Sequence, residues 1–195
     1  GVFHIQGTDR TIDWFSLAVE AERNDLPGKL QGGLNAELKN IMHEAVFPNG
    51  CHICEVIVDP ETGMVTLERY TAVDDVGRII NPLIVDGQIH GGIVQGAGQA
   101  LMERCFFDEE TAQPYAGSFM DYALPRADDM PRFEVDLTST PCTHNPLGAK
   151  GCGEAGAIGS PPAVINAITD ALGVRHLDMP ATSEKVWRAA QASNN

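Results

Sequence analysis

Long apolar runs are missing from this 195-residue chain. Glycine, aspartate or arginine interrupts every apolar stretch before it reaches the roughly 20 residues that a membrane-spanning helix needs. The opening segment GVFHIQGTDR also lacks the basic region and the apolar run of a secretory signal peptide. We therefore expect no membrane span and no signal peptide. Because the chain opens on Gly1 instead of Met, we also expect a fragment or processed piece.

Basic residues are scarce. The chain has 13 Lys and Arg against 27 Asp and Glu, which gives a formal net charge of −14. This charge repels phosphate backbones, and the few basic residues form no cluster that could override the repulsion. The composition therefore argues against nucleic-acid binding. The 43% hydrophobic content is that of an ordinary folded domain with a core.

Cysteine is also sparse, with five residues scattered along the chain. An odd, scattered set fits a reducing compartment better than a disulfide framework, so we expect a cytoplasmic protein. Cys51 and Cys54 are the tightest pair, but no second pair of Cys or His follows at zinc-binding spacing. The alternation in CHICEVIV instead predicts a strand that places these two side chains on opposite faces. We expect no metal held by side chains of this chain.

Three segments have the alternating or β-branched pattern of strands. The runs CHICEVIVD and MVTLERYTAVDD flank the turn residues 60–63 and predict a hairpin, and FEVDLTST predicts a further strand. The stretch LNAELKNIMHEAVF is ambiguous between helix and extended chain.

Helices are predicted from capping residues and periodicity. The four starts are Asp13 for WFSLAVEAER, Asn81–Pro82 for LIVDGQIHGGIVQGAGQALMER, Ser160–Pro161–Pro162 for AVINAITDAL and Ser183 for EKVWRAAQ. Gly173 is expected to end the third helix. The combination predicts an α/β or α+β fold, with a mixed sheet and packed helices and no internal repeat.

The helix predicted after Asn81 contains five glycines. Each costs about 0.5–1 kcal/mol relative to Ala in a helix interior, so something must compensate. Gly87, Gly91 and Gly98 lie near one face by helical spacing. Two explanations stay open: a flat ligand or another backbone approaches this face, or the glycines serve tight helix packing.

The segment NPLGAKGCGEAGAIGSPP is the richest in functional signals. Gly151, Gly153 and Gly156 match G-x-G-x-x-G, which raises a nicotinamide-dinucleotide turn as an alternative. That motif should follow a buried strand and open directly into a helix, whereas here it follows THNPLGAK and the helix signal comes only at Ser160. A second interpretation is that Glu154 projects from a glycine-rich loop beside a bulky ligand and acts as a general base. A third is a solvated loop carboxylate.

Three segments taken together resemble a known family: VDDVGRIINPLIVDGQIHGGIVQGAGQAL, GSFMDYALPRADDMP and NPLGAKGCGEAGAIGSPPAVINAITDALG. They are similar to the C-terminal region of the molybdenum-binding large subunits of the xanthine dehydrogenase, aldehyde oxidoreductase and aerobic carbon monoxide dehydrogenase family. Residues 51–195 carry the resemblance and residues 1–50 contribute less. The resemblance implies that 1–195 is a C-terminal molybdopterin-binding segment of a larger catalytic subunit, with that domain's fold.

The same resemblance implies roles for particular residues. Glu154 corresponds to the family's base, which serves the hydroxylation of an aldehyde or N-heteroaromatic carbon with oxygen from water. Gln88 corresponds to a glutamine that contacts the pterin. The cofactor contacts expected from the KGxG segment are Lys150, Gly151, Cys152 and Gly153. The GEAG form of the loop resembles bacterial subunits that use the molybdopterin cytosine dinucleotide form of the molybdenum cofactor.

The resemblance also implies partners. These are the remainder of the large subunit, an iron–sulfur subunit with 2Fe–2S clusters, an FAD subunit and a small-molecule substrate, so the chain is expected to be inactive alone. The competing hypotheses are a non-catalytic structural or interaction module and a nicotinamide-binding oxidoreductase that uses the glycine motif.

Overall fold

The computed structural model describes residues 1–193 and divides into two compact units, Gly1–Ile41 and the residues from Met42 onward. The first unit contains strand β1 (Val2–His4), strand β2 (Thr11–Asp13) and helix α1 (Trp14–Ala21).

Within the first unit, β1 and β2 form an antiparallel pair. Helix α1 begins where predicted, because the Asp13 carboxylate accepts hydrogen bonds from the N–H groups of Phe15 (3.0 Å) and Ser16 (3.1 Å). The helix itself buries none of its residues. Polar capping therefore defines α1 more than packing does.

The described part of the second unit holds three strands and three α-helices. They are β3 (Asn49–Val58), β4 (Val65–Asp75), α2 (Pro82–Leu101), β5 (Phe133–Thr138), α3 (Ala155–Leu172) and α4 (Ser183–Ser193). The predicted class of mixed strands and helices is confirmed. Residues 34–47, which were ambiguous in sequence, form neither helix nor strand.

The sheet has the order β3–β4–β5. Strands β3 and β4 are the predicted antiparallel hairpin, and β5 joins the other edge of β4 in parallel. Gly63 makes the hairpin turn possible: its φ is +72°, and its N–H donates to the Asp59 carbonyl over 2.7 Å. Cys51 is exposed and Cys54 packs towards the core, so the predicted opposite orientations of these two residues are confirmed.

One face of this sheet carries the helices. Tyr70 and Ala72 of β4 are fully buried there against Ile89 and Ile93 of α2 and Val164 of α3. Burying a side chain of the size of Val or Ile contributes about 1.5–3 kcal/mol, so this layer is a major source of the unit's stability.

Helices α2 and α3 cross at glycine. A Cβ atom added to Gly156 would lie 2.4 Å from the Ile89 carbonyl oxygen, and one added to Gly92 would lie 2.9 Å from the Ala157 nitrogen. The two backbones therefore touch, which only glycine permits. Gly87 and Gly91, by contrast, face open space. Gly98, which was predicted to share their face, is buried: a Cβ atom there would lie 2.5 Å from Glu103 Oε1 and 3.0 Å from Pro125 Cδ. Tight packing therefore explains Gly92 and Gly98, and Gly87 and Gly91 are left available to a ligand.

The predicted start of α3 is wrong. The helix begins at Ala155, five positions before the predicted start at Ser160, and it carries Pro161 and Pro162 in its interior. An interior proline usually costs about 3 kcal/mol because it removes a hydrogen bond and crowds a carbonyl. Here Ala155, Gly156 and Ser160 are buried, and this packing offsets the cost. The predicted end at Gly173 is confirmed, with φ +66°.

Within the described residues, no helix combines the length and the apolar composition that crossing a membrane requires.

Candidate functional site

Residues 145–150 form a loop that is fixed to the end of β4. The Asn145 side chain donates to the Ala149 carbonyl (2.8 Å) and accepts from the Ala149 N–H (3.3 Å), which closes the loop on itself. The Lys150 N–H donates to the Val76 carbonyl (2.9 Å) and the Arg78 N–H to the Gly148 carbonyl (2.8 Å). The backbone that leads into residues 151–154 is therefore held in place.

Asp75 is the centre of this attachment. Its carboxylate accepts from the N–H groups of Thr140 (3.0 Å) and Gly77 (2.8 Å) and lies 3.3 Å from Lys150 Nζ. The hydrogen bonds from Thr140, then that from Gly77, and to a smaller degree Lys150, hold the pKa of Asp75 well below its ordinary range.

Lys150 has its side chain in this ion pair and only 10% exposed. The ammonium group points back into the protein, so only the backbone of Lys150 is available to a cofactor. Of the predicted contacts in the KGxG segment, this one is primarily an anchor.

Residues 151–154 present unpaired backbone donors. Among residues 1–193, no acceptor meets the N–H groups of Gly151, Cys152, Gly153 or Glu154. A Cβ atom at Gly151 would meet nothing within 4 Å, and one at Gly153 would meet only Gln88 Oε1 at 3.7 Å. A ligand can therefore reach this stretch of backbone directly.

Gln88 lies beside these donors. It is on the exposed face of α2, together with Gly87 and Gly91, where added side chains would meet nothing within 4 Å. The structure thus brings Gln88 of α2 to the loop that carries Gly153, as a single ligand site requires. The glycines keep the helix surface on either side of Gln88 flat.

Glu154 is the N-cap residue of α3, and its side chain makes no capping hydrogen bond. The residue is exposed, and across the described part of the chain its carboxylate has no hydrogen-bond or ion-pair partner. A carboxylate that no neighbour occupies is free to accept a proton from a ligand bound beside it. The group that would cover it does not come from residues 1–193.

Cys152 behaves differently from its neighbours. Its side chain is half-buried and packs against the hydrophobic core. A thiol directed into the core cannot also face a ligand above the loop. Cys152 can contribute its backbone N–H to the site, while its side chain holds the loop down.

A buried polar group beneath α3 was missed in the sequence. The His52 ring lies between Tyr70 and Asp74, with Nδ1 2.8 Å from the Tyr70 hydroxyl oxygen and Nε2 3.3 Å from both Asp74 carboxylate oxygens. The available signal was the alternation in β3, which places His52 on the same face as Cys54.

The glycine motif does not have the setting of a dinucleotide-binding turn. Helix α3 does open directly after it, contrary to the sequence prediction, but the segment before it forms only an isolated bridge between Ala149 and Gly77. Among residues 1–193, the parallel strands β4 and β5 are connected through α2, and no strand leads directly into the glycine motif, as a dinucleotide-binding turn requires. In the same range, no group of three or more His, Cys, Asp or Glu is arranged to hold a metal ion.

Comparison with known proteins gives one family. The family described as "Molybdopterin cofactor-binding domain" matches residues 1–131, which include Gln88. The chain is 36% identical over 195 residues to the carbon monoxide dehydrogenase large chain of Hydrogenophaga pseudoflava, covering 98% of this chain and 24% of that one. It is 40% identical over 179 residues to the nicotine 6-hydroxylase large subunit of Paenarthrobacter nicotinovorans, covering 90% and 22%.

A solved structure agrees. The Cu,Mo-CO dehydrogenase in its carbon monoxide reduced state superposes with a TM-score of 0.84 at 34% identity, over 94% of this chain and 23% of that chain. The chain spans about a quarter of the length of the relatives that it matches. Glu154 lies beyond the family match and within the stretch shared with the first relative.

Proposed function

The chain belongs to the molybdopterin cofactor-binding domains of the molybdenum hydroxylase family, and from this premise we propose that Gln88 and residues 150–154 hold the cofactor and that Glu154 is the catalytic base. The reaction proposed is hydroxylation of an aldehyde or N-heteroaromatic carbon, with oxygen derived from water. One observation carries the proposal: Gln88 approaches Gly153 directly beside a carboxylate that has no other partner in the described chain.

The groups present fit the chemistry of the cofactor. Molybdopterin has phosphate oxygens and a pterin edge that accepts and donates hydrogen bonds. Backbone N–H groups at a helix N-terminus bind phosphate well, because the helix dipole favours negative charge there. The Gln88 amide has both a donor and an acceptor for a pterin edge. The open space at Gly151 and Gly153 lets a ligand come within hydrogen-bonding distance of the backbone.

When bound, the cofactor supplies the two-electron redox chemistry. The residues of this chain then have two tasks, which are holding and proton transfer. Glu154 accepts the proton that is released as the new carbon–oxygen bond forms, a role that contributes about 10²- to 10⁴-fold in rate. Lys150 cannot take that role because its ammonium is paired with Asp75.

The finer features of the family are part of the same proposal. The GEAG loop supports the cytosine dinucleotide form of the cofactor. The chain spans about a quarter of the length of its relatives, which supports a segment of a larger subunit, and the family resemblance implies that this segment is the C-terminal one. One relative, from Paenarthrobacter nicotinovorans, is the gamma subunit of the 6-hydroxypseudooxynicotine dehydrogenase complex. This supports an assembly with an iron–sulfur subunit carrying 2Fe–2S clusters and an FAD subunit, in the cytoplasm.

The test replaces the base in the holoenzyme. Glu154→Gln removes the proton acceptor and keeps the shape of the side chain, so we expect kcat to fall by about 10²- to 10⁴-fold while molybdenum content stays at the wild-type level. The matched control is Glu109→Gln, the same change at an exposed loop carboxylate, which should leave kcat unchanged.

Wild-type turnover by Glu154→Gln would contradict the catalytic assignment and favour a structural or interaction module. Loss of molybdenum from Glu154→Gln would mean that the residue acts in cofactor binding instead of proton transfer.

A further inference from the structure

Three polar side chains are buried under the N-terminal half of α3. The side chains of His52 and Asp74 are 5% and 3% exposed, and Tyr70 is fully buried. Burial raises the pKa of the Tyr70 phenol, which keeps its proton on the oxygen. Burying polar groups is costly unless they bond to one another, so such a cluster indicates a specific arrangement.

One protonation pattern satisfies the whole cluster. The Tyr70 hydroxyl donates to Nδ1 of His52 over 2.8 Å, and Nε2–H then donates to the Asp74 carboxylate over 3.3 Å. The imidazole is therefore held at both nitrogens by groups of β4. The ring also meets Tyr70 edge-on, with 5.7 Å between ring centroids. A ring fixed in this way has little freedom to rotate.

The fixed His52 ring packs directly against the backbone of α3. A Cβ atom at Gly159 would lie 2.5 Å from His52 Nδ1, so the helix backbone rests directly on the imidazole. Only glycine allows this contact. Gly159 follows Glu154 by five positions, which is about 7.5 Å along a helix axis. The contact lies between the sheet and the end of α3 that carries Glu154.

On the side of α3 that faces α2, glycines form the contact with its first turns. There, the first turns of α3 meet α2 at glycines: Cβ atoms added to Gly92 and Gly156 would meet backbone atoms of the other helix, and one added to Gly96 would meet Ser160 Oγ and the Pro161 ring. Glycine surfaces of this kind permit close approach but resist sliding poorly, because register between helices is set by side chains in grooves. The ring of His52 is the rigid side chain that this end of α3 rests on.

We infer that His52, held by Tyr70 and Asp74, is a positioning residue. It sets the distance between the sheet and the first turns of α3, and thereby the position of the Glu154 carboxylate. The inference rests on the proposed function, in which Glu154 is the base. His52 itself does not touch the ligand site, since it is buried beneath the helix.

The experiment compares His52→Ala with His176→Ala in the holoenzyme. His176 is an exposed histidine paired with an exposed aspartate, Asp178, and serves as the matched control. We expect His52→Ala to lower kcat by about 10- to 100-fold with little change in KM or molybdenum content, because small displacements of a catalytic group cost this much. Added imidazole should restore part of kcat by filling the space, and the control should show neither effect.

A second readout does not depend on turnover. The Ile158 N–H donates to the Glu154 carbonyl over 2.9 Å. Hydrogen exchange in residues 155–160 should accelerate in His52→Ala and not in His176→Ala. If His52→Ala does not fold, Tyr70→Phe removes only the hydroxyl that holds the ring, and it should produce the same changes at smaller amplitude.

Wild-type kcat and exchange rates in the folded variant would overturn the inference. If Glu154→Gln is inactive and His52→Ala is not affected, the positioning role fails and the proposed function stands. If Glu154→Gln is fully active, the proposed function fails, and exchange at residues 155–160 still decides whether His52 orders the helix.

Discussion

Asp75 and Lys150 show how single residues hold the functional loop in place. The loop is attached to β4 through the Asp75 carboxylate. This carboxylate accepts hydrogen bonds from two backbone N–H groups and pairs with the Lys150 ammonium. Such charge-assisted hydrogen bonds are stronger than neutral ones, and here they act on backbone that would otherwise be mobile. The predicted cofactor contact Lys150 therefore contributes through the position it gives to residues 151–154.

The stability of this attachment should depend on pH. Because the pKa of Asp75 is lowered in the folded state, its contribution is fully present above the ordinary aspartate value of about 3.9 and is lost as the pH falls through the folded-state value. Asp75→Asn should lower the free energy of unfolding at neutral pH, and its difference from wild type should shrink as acid is added.

Urea unfolding between neutral pH and about pH 2, which reaches further into the range where the contribution is lost, measures this. Asp9→Asn, at an exposed bend, is the control and should leave the pH dependence unchanged. A constant difference between Asp75→Asn and wild type at all pH values would contradict the assignment.

The site residues differ in how far the sequence could predict them. Glu154 and Gln88 were identified through the family resemblance, since nothing in the spacing of 88 and 154 reveals that α2 and α3 meet. His52 was missed because its partners Tyr70 and Asp74 lie on another strand. Gly159, against which its ring packs, lies on a helix. Local pattern carries no information about such a contact, beyond placing a polar residue on an apolar face.

At the scale of elements, caps and alternation predicted the β3–β4 hairpin, α1, and the start of α2. These features are local, since each depends on bonds between residues a few positions apart. The start of α3 was not predictable in this way. Its first turns are poor in helix-forming residues and are followed by Pro161 and Pro162, so only packing against α2 and the sheet makes them helical.

Neighbouring glycines of α2 should respond oppositely to alanine. Gly91 faces open space, so Gly91→Ala should raise the free energy of unfolding by about 0.5–1 kcal/mol through helix propensity. Gly92→Ala places a methyl group 2.9 Å from the Ala157 nitrogen. It should lower the same free energy by about 1–3 kcal/mol because α2 and α3 must separate.

Denaturant unfolding of the two variants beside wild type measures both effects. Equal shifts in the same direction would show that α2 and α3 do not meet at Gly92. The pair also separates the two explanations left open by the sequence, since only Gly92 is required by packing.

At the scale of the whole molecule, we propose that the site is one wall of a larger structure. Gln88, Gly153 and Glu154 are exposed, and no other part of residues 1–193 covers them. The α2 face around Gln88 also exposes Leu83 (81%) and Ile84 (58%). Apolar residues beside a ligand site in a chain that spans a quarter of its relatives agree with the proposed membership in a larger subunit.

The most direct test of the central proposal is the molybdenum and CMP content of the matured holoenzyme, measured for wild type, Gly153→Val and Gly117→Val. An added Cβ atom meets nothing within 4 Å at Gly117 and only Gln88 Oε1, at 3.7 Å, at Gly153, and at Gly153 the added side chain fills the space proposed for the cofactor. We predict near-stoichiometric molybdenum and CMP in wild type and Gly117→Val and a several-fold loss of both in Gly153→Val. Equal cofactor content in all three proteins, or none in matured wild type, would contradict the cofactor site proposed at Gln88 and residues 150–154.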